Sequence, residues 1–391
     1  MKKRKIAYIS ETALTDSDLP LLHELSKDAI VDYYLIITNS TRQGTLVDLT
    51  LKGKGDVFCG TEYPELAPLK KWIDLNHVYI VNKPVNHFWQ WINFEVAWKG
   101  MRLLKKRNYD IIHLTWPLRY SSFALYLLRK KMVITMHDPI PHSSHMSLKN
   151  RFHRYCCIRL TPDFILLNKT QKPLFMKTYG VSESRVHMSR LSIYTHLRES
   201  ASAPALCSSP YILYVGRIHS HKGIEYLCEA MQPVTSDTPD MHLVIAGQGQ
   251  FYFDTSKYEQ MPNYTFLNRY ITNEELVSLI SNSIAVVCPY IDATQSGVIM
   301  SAFALNKPVI ATRVGALPEM VEEGRHGFLV PPKDSKALEL AIRNIIQPGI
   351  AQQMSENIAY DYSAGNRSWQ SIASGVQEIY ETIIKKREKQ S

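Results

Sequence analysis

Arg217 and Lys222 stand in YILYVGRIHSHKG, residues 211–223, beside Gly216 and Gly223 and just past an apolar run. Four of the five residues from Tyr211 to Val215 are β-branched or aromatic, as in a short buried strand, and Gly216 interrupts them where the chain must turn. Open α/β sheets bind ligands outside the carboxyl ends of their strands. A planar guanidinium and a mobile ammonium at such an edge suit a diphosphate, which they can hold and neutralise as it leaves. A basic surface turn ahead of a helix would read the same way from these residues alone. ATQSGVI, residues 293–299, reads as a polar turn opening a helix. The N–H groups around Gln295, Ser296, Gly297 and Val298 would then point at an anion; a plain helix cap by Ser296 is the competing reading. DIIHLTWP and VITMHDPIPH each end a strand on a histidine, His113 and His137, and Asp138 follows the second. Asp138 could orient the imidazole or an acceptor hydroxyl.

Something must hold these groups. Short apolar runs alternate with amphipathic segments along the whole chain, the signature of βαβ units and parallel sheets. Strands are expected at Lys5–Ile9, Asp32–Ile37, Ile111–Leu114, Met132–Met136 and Phe164–Leu167. In the second half they are expected at Tyr211–Val215, His242–Ala246, Tyr264–Leu267, Ala285–Cys288, Val309–Ala311 and Gly327–Val330. The Ser, Ala and Pro stretch that begins at Arg198 has linker composition. The chain of 391 residues therefore divides into a domain over 1–197, a linker over 198–209, a second domain over 210–365 and a helix over 366–391. That last helix has a stripe at Trp369, Ile372, Val376, Ile379, Tyr380 and Ile383, which must bury itself and is expected on the first domain.

With VIAGQG and YVGRIHSHKG, the segment PYIDATQSGVIMSAFALNKPVIATRVGALPEMVEEGRHGFLVPP, residues 289–332, resembles the donor-binding half of a family 4 glycosyltransferase. HLTWP and TMHD in the first half and the SW-containing final helix extend the resemblance over nearly the whole chain. It implies the GT-B fold, an α/β architecture of two Rossmann-like domains whose parallel sheets face a central cleft. It implies transfer from a nucleotide diphosphate sugar with retention of configuration, no bound metal and no cofactor, with a UDP or GDP sugar as first candidates. Arg217, Lys222 and His137 would then be catalytic, His137 by hydrogen-bonding sugar hydroxyls rather than by abstracting a proton. Gly216 and residues 295–298 would bind the donor. The sequence departs from the family where two glutamates usually flank the donor turn: Ala293 and Ser301 occupy those places, and the nearest acid is Asp292. A subset with an acidic residue before A-T-Q-S-G-V looks similar. Glu319 and Glu322, and Gly315 with its freedom for close backbone approach, are further donor candidates, although acids at a helix start also serve its dipole. On the acceptor side stand His113, Asp138 and the loop from Ser10 to Asp18, which lacks the paired glycines of many relatives; a structural place for His113 competes.

A formal charge of +9 favours an anionic partner. In HFWQWINFEVAWKGMRLLKKRNYD, residues 87–110, Trp91, Phe94, Trp98, Met101 and Leu104 recur at helical spacing, with Lys99, Arg102, Lys105, Lys106 and Arg107 near one end. That pattern fits a helix on anionic lipid, and equally a core helix with a solvated basic end. No nucleic-acid-binding motif occurs, so nucleic acid is not expected as a partner. The apolar runs fall short of the roughly 20 residues of a membrane span. The six cysteines show no metal-ligand spacing and are expected reduced. The expected place is cytoplasmic, peripheral at the inner face of the plasma membrane, with a glycan or lipid-linked acceptor. A sugar-nucleotide epimerase of the same architecture, and a catalytically silent nucleotide-sugar-binding partner, remain as alternatives.

Overall fold

The computed structural model describes residues 3–84, 91–117, 120–140, 148–205 and 209–389. They form two compact units, Met1–Leu191 with Trp369–Ser391, and Ser192–Ser368.

The first unit is built on an eight-stranded sheet of order β3-β4-β2-β1-β5-β6-β7-β8. Its strands are β1 (Lys5–Glu11), β2 (Ile30–Ile37), β3 (Asp56–Cys59), β4 (Val78–Asn82), β5 (Ile111–Leu114), β6 (Met132–Met136), β7 (Asp163–Leu166) and β8 (Val186–Met188). Successive residues of β1 serve opposite layers: Ile6 and Tyr8 join the core beneath Thr15–Asp28 and Trp369–Glu388, while Ala7 and Ile9 join the core beneath Trp91–Arg107, Leu148–Leu160 and Lys172–Tyr179. Burial on both faces explains strands that read as unbroken apolar runs. Two strands, β3 and β4, lie outside the expected set although VYIVN of β4 is wholly buried, as does the short β8. The sheet is also not wholly parallel, since β3 pairs antiparallel with β4.

The second unit has six parallel strands in the order β11-β10-β9-β12-β13-β14. They are β9 (Tyr211–Val215), β10 (His242–Ala246), β11 (Tyr264–Leu267), β12 (Ala285–Cys288), β13 (Val309–Thr312) and β14 (Gly327–Val330). The chain runs outward from β9 to β10 and β11, then returns to β12 on the other side of β9, which makes the β9/β12 boundary the topological switch point.

The unit boundary falls at Leu191, earlier than the Ser, Ala and Pro stretch, because Ile193 and Leu197 pack into the second core and Arg198 donates to the Ala304 carbonyl at 2.7 Å. The return falls at Trp369 instead of residue 366, where that ring enters the first core. The basic end of the final helix is tied to the first sheet. Lys386 reaches the buried Asp163 at 3.2 Å and the Ser184 carbonyl at 3.1 Å, and Arg387 donates to the Met132 carbonyl.

Candidate active site

Four loops meet at the carboxyl edge of the second sheet. After β9, Gly216 takes φ +140° and Tyr214 Oη donates to the Arg217 carbonyl at 2.8 Å, so Arg217 leaves the strand end on an anchored backbone with its side chain exposed. The Ile218 N–H donates to the Gln248 carbonyl at 3.1 Å, joining this loop to the one after β10. Gly223 sits at φ +64°, and a Cβ there would lie 2.1 Å from the Pro289 carbonyl oxygen, so only glycine lets the loops after β9 and β12 touch. The Ile291 N–H donates to the His221 carbonyl at 2.8 Å across the same seam.

Lys222 is held by that contact. Its Nζ lies 3.7 Å from the centroid of the Tyr290 ring. Burial lowers its pKa from the ordinary lysine value; the Cys288 thiol opposes this and Arg217 adds to it. The two cations are thus close enough to repel, and a diphosphate would relieve both the repulsion and the desolvation.

The turn 292–297 supplies backbone more than side chains. Ser296 is buried and caps Gly297–Ala304, accepting from the Ile299 N–H at 3.4 Å and lying 3.3 Å from Tyr290 Oη. Its hydroxyl is therefore turned inward, toward the helix it caps and Tyr290. The N–H groups of Gly297 and Val298, at the first helical positions, have no carbonyl one turn back. Val298 Cγ2 lies 3.5 Å from where a Cβ on Gly216 would stand, which brings this turn beside the Arg217 loop. Gln295 is half-buried and Asp292 exposed. Ala293 is buried, and Ser301 bonds back to the Gly297 carbonyl at 3.1 Å. Neither position offers a carboxylate, and the Ser301 hydroxyl is spent on its own helix. Gly315, at φ +51°, makes its close approach to the Ala293 carbonyl and not to open space. It fixes the turn 292–297 from behind. Glu319 opens the short helix Leu317–Met320 and its carbonyl is 3.5 Å from an Arg367 nitrogen; Glu322 is exposed.

In the first unit, His137 lies just past β6, half-buried, with its ring stacked on Trp116 at 5.7 Å between centroids. Burial pulls its pKa down to about 4, so at neutral pH it offers one donor and one acceptor. His113 does not reach outward. Its Nδ1 meets Tyr380 Oη, its Nε2 lies 2.7 Å from Thr135 Oγ1, and burial holds it neutral with a pKa of about 3. This removes it from the acceptor set: it pins the final helix to β5 and β6. Ser10 is equally interior, its Oγ accepting from Thr115 at 2.9 Å, which moves it from acceptor contact to support. Asp138 stays near the surface, and its carbonyl accepts from Arg154.

The first unit also buries Asp18, the last residue of the loop expected to meet the acceptor. Asp18 accepts from Tyr8 Oη and Tyr33 Oη, both at 3.0 Å, and burial raises its pKa to about 7. It lines a small cavity together with Ser17, His113, Thr135 and His137. An Asp in a helix's first turn normally signals a dipole partner in water; its burial depends on β1 and β2 passing over it.

Among the described residues, one trio has the ligand types and spacing for a metal: Glu322, His326 and Asp361. Asp361 is already bidentate with Arg325 at 2.7 and 2.8 Å, His326 Nε2 lies 2.7 Å from the same carboxylate, and His326 Nδ1 faces the Glu322 N–H. That is an ion-pair network with both ring nitrogens engaged. None of the five described cysteines is in a disulfide.

The helix Trp91–Arg107 buries Asn93, Val96, Ala97, Gly100, Met101 and Leu104, so the expected stripe is split. Trp91, Phe94 and Trp98 are on the outside, Trp91 88% exposed. Arg107 is not part of a free basic end, since it pairs with the buried Asp32 at 2.8 Å, and Lys99 pairs with Asp56 and Glu95. Arg102, Lys105 and Lys106 remain exposed. The part of that segment over 87–90 lies outside the described residues. No described helix is long and apolar enough to cross a membrane.

The family model described as Glycosyl transferases group 1 matches residues 209–348, and that described as Glycosyltransferase Family 4 matches residues 56–189. Glycogen synthase of Mycobacterium tuberculosis is 26% identical over 297 residues, 72% of this chain and 72% of its own length. A GDP-mannose-dependent alpha-mannosyltransferase of Corynebacterium glutamicum is 25% identical over 304 residues, 72% of this chain and 70% of its own. The alpha-D-kanosaminyltransferase of Streptomyces kanamyceticus is 30% identical over 154 residues, and there the match spans 40% of that protein and 38% of this one. Among solved structures, a glycosyltransferase from Rickettsia africae superposes with a TM-score of 0.68 at 17% identity, covering 98% of this chain and all of the other. HepE of Anabaena, solved with UDP, superposes with 0.62 at 16% identity, covering 97% and 99%.

Proposed function

The chain belongs to glycosyltransferase family 4 and has the GT-B fold, and we propose that it moves a sugar from a nucleotide diphosphate donor, with UDP or GDP sugars as first candidates, to a glycan or lipid-linked acceptor, with retention and without a metal. The observation that carries this reading is the Lys222 ammonium, fixed over Tyr290 and drawn below its ordinary pKa beside Arg217, at the carboxyl edge of the second sheet. As the bond from the anomeric carbon to the diphosphate breaks, charge grows on the leaving oxygen. Fixed donors aimed at that charge contribute about 10²–10³ in rate each. Arg217, Lys222 and the N–H groups of Gly297 and Val298 supply it in this proposal. Retention needs attack and departure on one face of the sugar, and the acceptor proton then passes to the leaving phosphate, so no enzymic base is required. His137, neutral at working pH, hydrogen-bonds hydroxyls of the sugar or acceptor.

A peripheral place on a membrane's cytoplasmic face belongs to the same proposal. It is supported by exposed Trp91, Phe94 and Trp98 with Arg102, Lys105 and Lys106 on one helix, and by exposed Leu127, Phe152 and Tyr155 on elements that pack on the same side of the first sheet. Apolar rings among cations are what an anionic bilayer takes up.

One observation favours a second reading, a silent donor-binding partner: Ala293 and Ser301 leave the donor turn without side-chain carboxylates. The deciding experiment is a thermal-shift panel of UDP, GDP, ADP and dTDP sugars without metal, followed by product detection with the donor that shifts. A shift lost in Arg217→Ala together with product supports transfer. A shift with hydrolysis, transfer and epimerisation all absent across an acceptor panel supports the silent partner, and no shift refutes both.

A further inference from the structure

Between the two clamp cations the same loop carries two histidines, and they meet each other. His219 Nδ1 and His221 Nδ1 are 2.7 Å apart, with ring centroids 4.5 Å apart and both side chains exposed. Two imidazole nitrogens at that separation must have a proton between them, one ring donating and the other accepting. The backbone sets up the encounter. His219 is extended at φ −162° and ψ 152°, Ser220–Lys222 turns in a single 3-10 step, and the His221 carbonyl is fastened by the Ile291 N–H.

Resting on the donor reading above, we infer that His219 and His221 act as one proton-sharing unit of the diphosphate site, taking up a proton as the donor binds. The neutral pair holds one proton between its Nδ1 atoms. One more proton, drawn from solvent, gives an imidazolium bonded to an imidazole, a charge-assisted N–H···N bond with net charge +1 for the pair. Arg217 and Lys222 flank the pair on its own loop. Of the neighbouring acids, Glu225 at the start of the next helix accepts from Tyr252 Oη, and Asp292 on the loop after β12 meets the His221 carbonyl through its backbone N–H at 3.4 Å. A bound diphosphate diester brings two negative charges to the cations and favours the added proton, so proton and donor bind with positive linkage. The unit adds a cation to the clamp only when there is an anion to meet it.

Nucleotide sugars make the test clean, because their diphosphate is a diester with no phosphate group titrating near neutral pH. Any proton exchanged on binding then belongs to the protein. Calorimetric titration with UDP-glucose and GDP-mannose near pH 7, in two buffers of different ionisation enthalpy, counts those protons. The expected result is an uptake of roughly one third to one proton, with Kd weakening by up to about tenfold per pH unit as pH rises through the pair's titration. His219→Gln and His221→Gln should each reduce the uptake to near zero and flatten the pH dependence, with the Tm of the free protein little changed because both rings are exposed. Donor binding without proton uptake, or uptake untouched by both substitutions, overturns the inference and leaves the transfer reading standing. Failure of every nucleotide sugar to bind overturns both.

Discussion

Lys222 and Tyr290 form the closest cation–ring contact among the described residues, Nζ to centroid 3.7 Å, and they join the loop after β9 to the loop after β12. The ring does for the ammonium what a counterion would do, without neutralising it, so the charge stays available to a phosphate. Lys222→Ala should lower kcat by about tenfold to a thousandfold. Tyr290→Leu keeps the charge and loses its seat; donor KM should rise by about three- to tenfold, consistent with a cation–π contribution of roughly 0.5–2 kcal/mol, with kcat less affected than in Lys222→Ala. Steady-state kinetics on the two variants would separate the roles, and near-normal turnover by Lys222→Ala would remove the clamp.

Gly223→Ala tests the seam itself. The added Cβ would stand 2.1 Å from the Pro289 carbonyl oxygen, so the loops must part. A loss of about 1–3 kcal/mol in stability is expected, typical of forced overpacking, with weaker donor binding. Thermal unfolding with and without donor reads both effects. An unchanged Tm would mean the two loops are not in contact in solution.

Asp18 gives the first unit a pH dependence of definite sign. Its folded pKa, near 7, lies above the ordinary aspartate value of 3.8, so between those values the folded state holds a proton that the unfolded state has released. The stability it contributes is complete below about pH 4 and is lost as pH rises through about 7, a few kcal/mol at most. Asp18→Asn, which keeps the shape and has no proton to lose, should flatten Tm against pH over that window and raise Tm at pH 8. If the wild-type and Asn curves run parallel, Asp18 is not buried as described.

Chelation is the test for Glu322, His326 and Asp361. With the Asp361 carboxylate already bound by Arg325 and its pKa held down near 2, first by that bond, the trio is structural. Incubation with EDTA should leave both transfer and Tm unchanged, whereas Asp361→Asn should lower Tm. A fall in either quantity with EDTA alone would contradict the assignment.

Lipid binding should depend on rings and charges together. Trp91→Ser with Trp98→Ser, and separately Lys105→Glu with Lys106→Glu, should each reduce co-sedimentation with vesicles containing anionic lipid, and added salt should weaken the wild type. Neutral vesicles should bind poorly. Binding indifferent to salt and to all four substitutions would end the peripheral reading.

Much of this protein is determined by short-range pattern. Where a strand is buried on both faces its apolar run is bounded sharply by turn residues, and Tyr211–Val215, His242–Ala246 and Ile111–Leu114 stand where composition puts them. The placing of Arg217 and Lys222 just past a strand end is legible too, because glycine, cation and strand end are neighbours in the chain. Tertiary structure decided what depends on distant segments. His113 is expected to end a strand like His137, yet it lies within β5 while His137 follows β6, and Tyr380, far along the chain, closes over His113 alone. The three aromatic residues of Trp91–Arg107 share helical spacing with Met101 and Leu104, and only the sheet beneath determines which side is buried. Asp18 stands in a polar loop expected to meet the acceptor, and two tyrosines from β1 and β2 enclose it instead. Periodicity fixes which residues share a face; which face meets the core, and which polar group is sealed beneath it, is set by packing between elements that the linear order does not bring together.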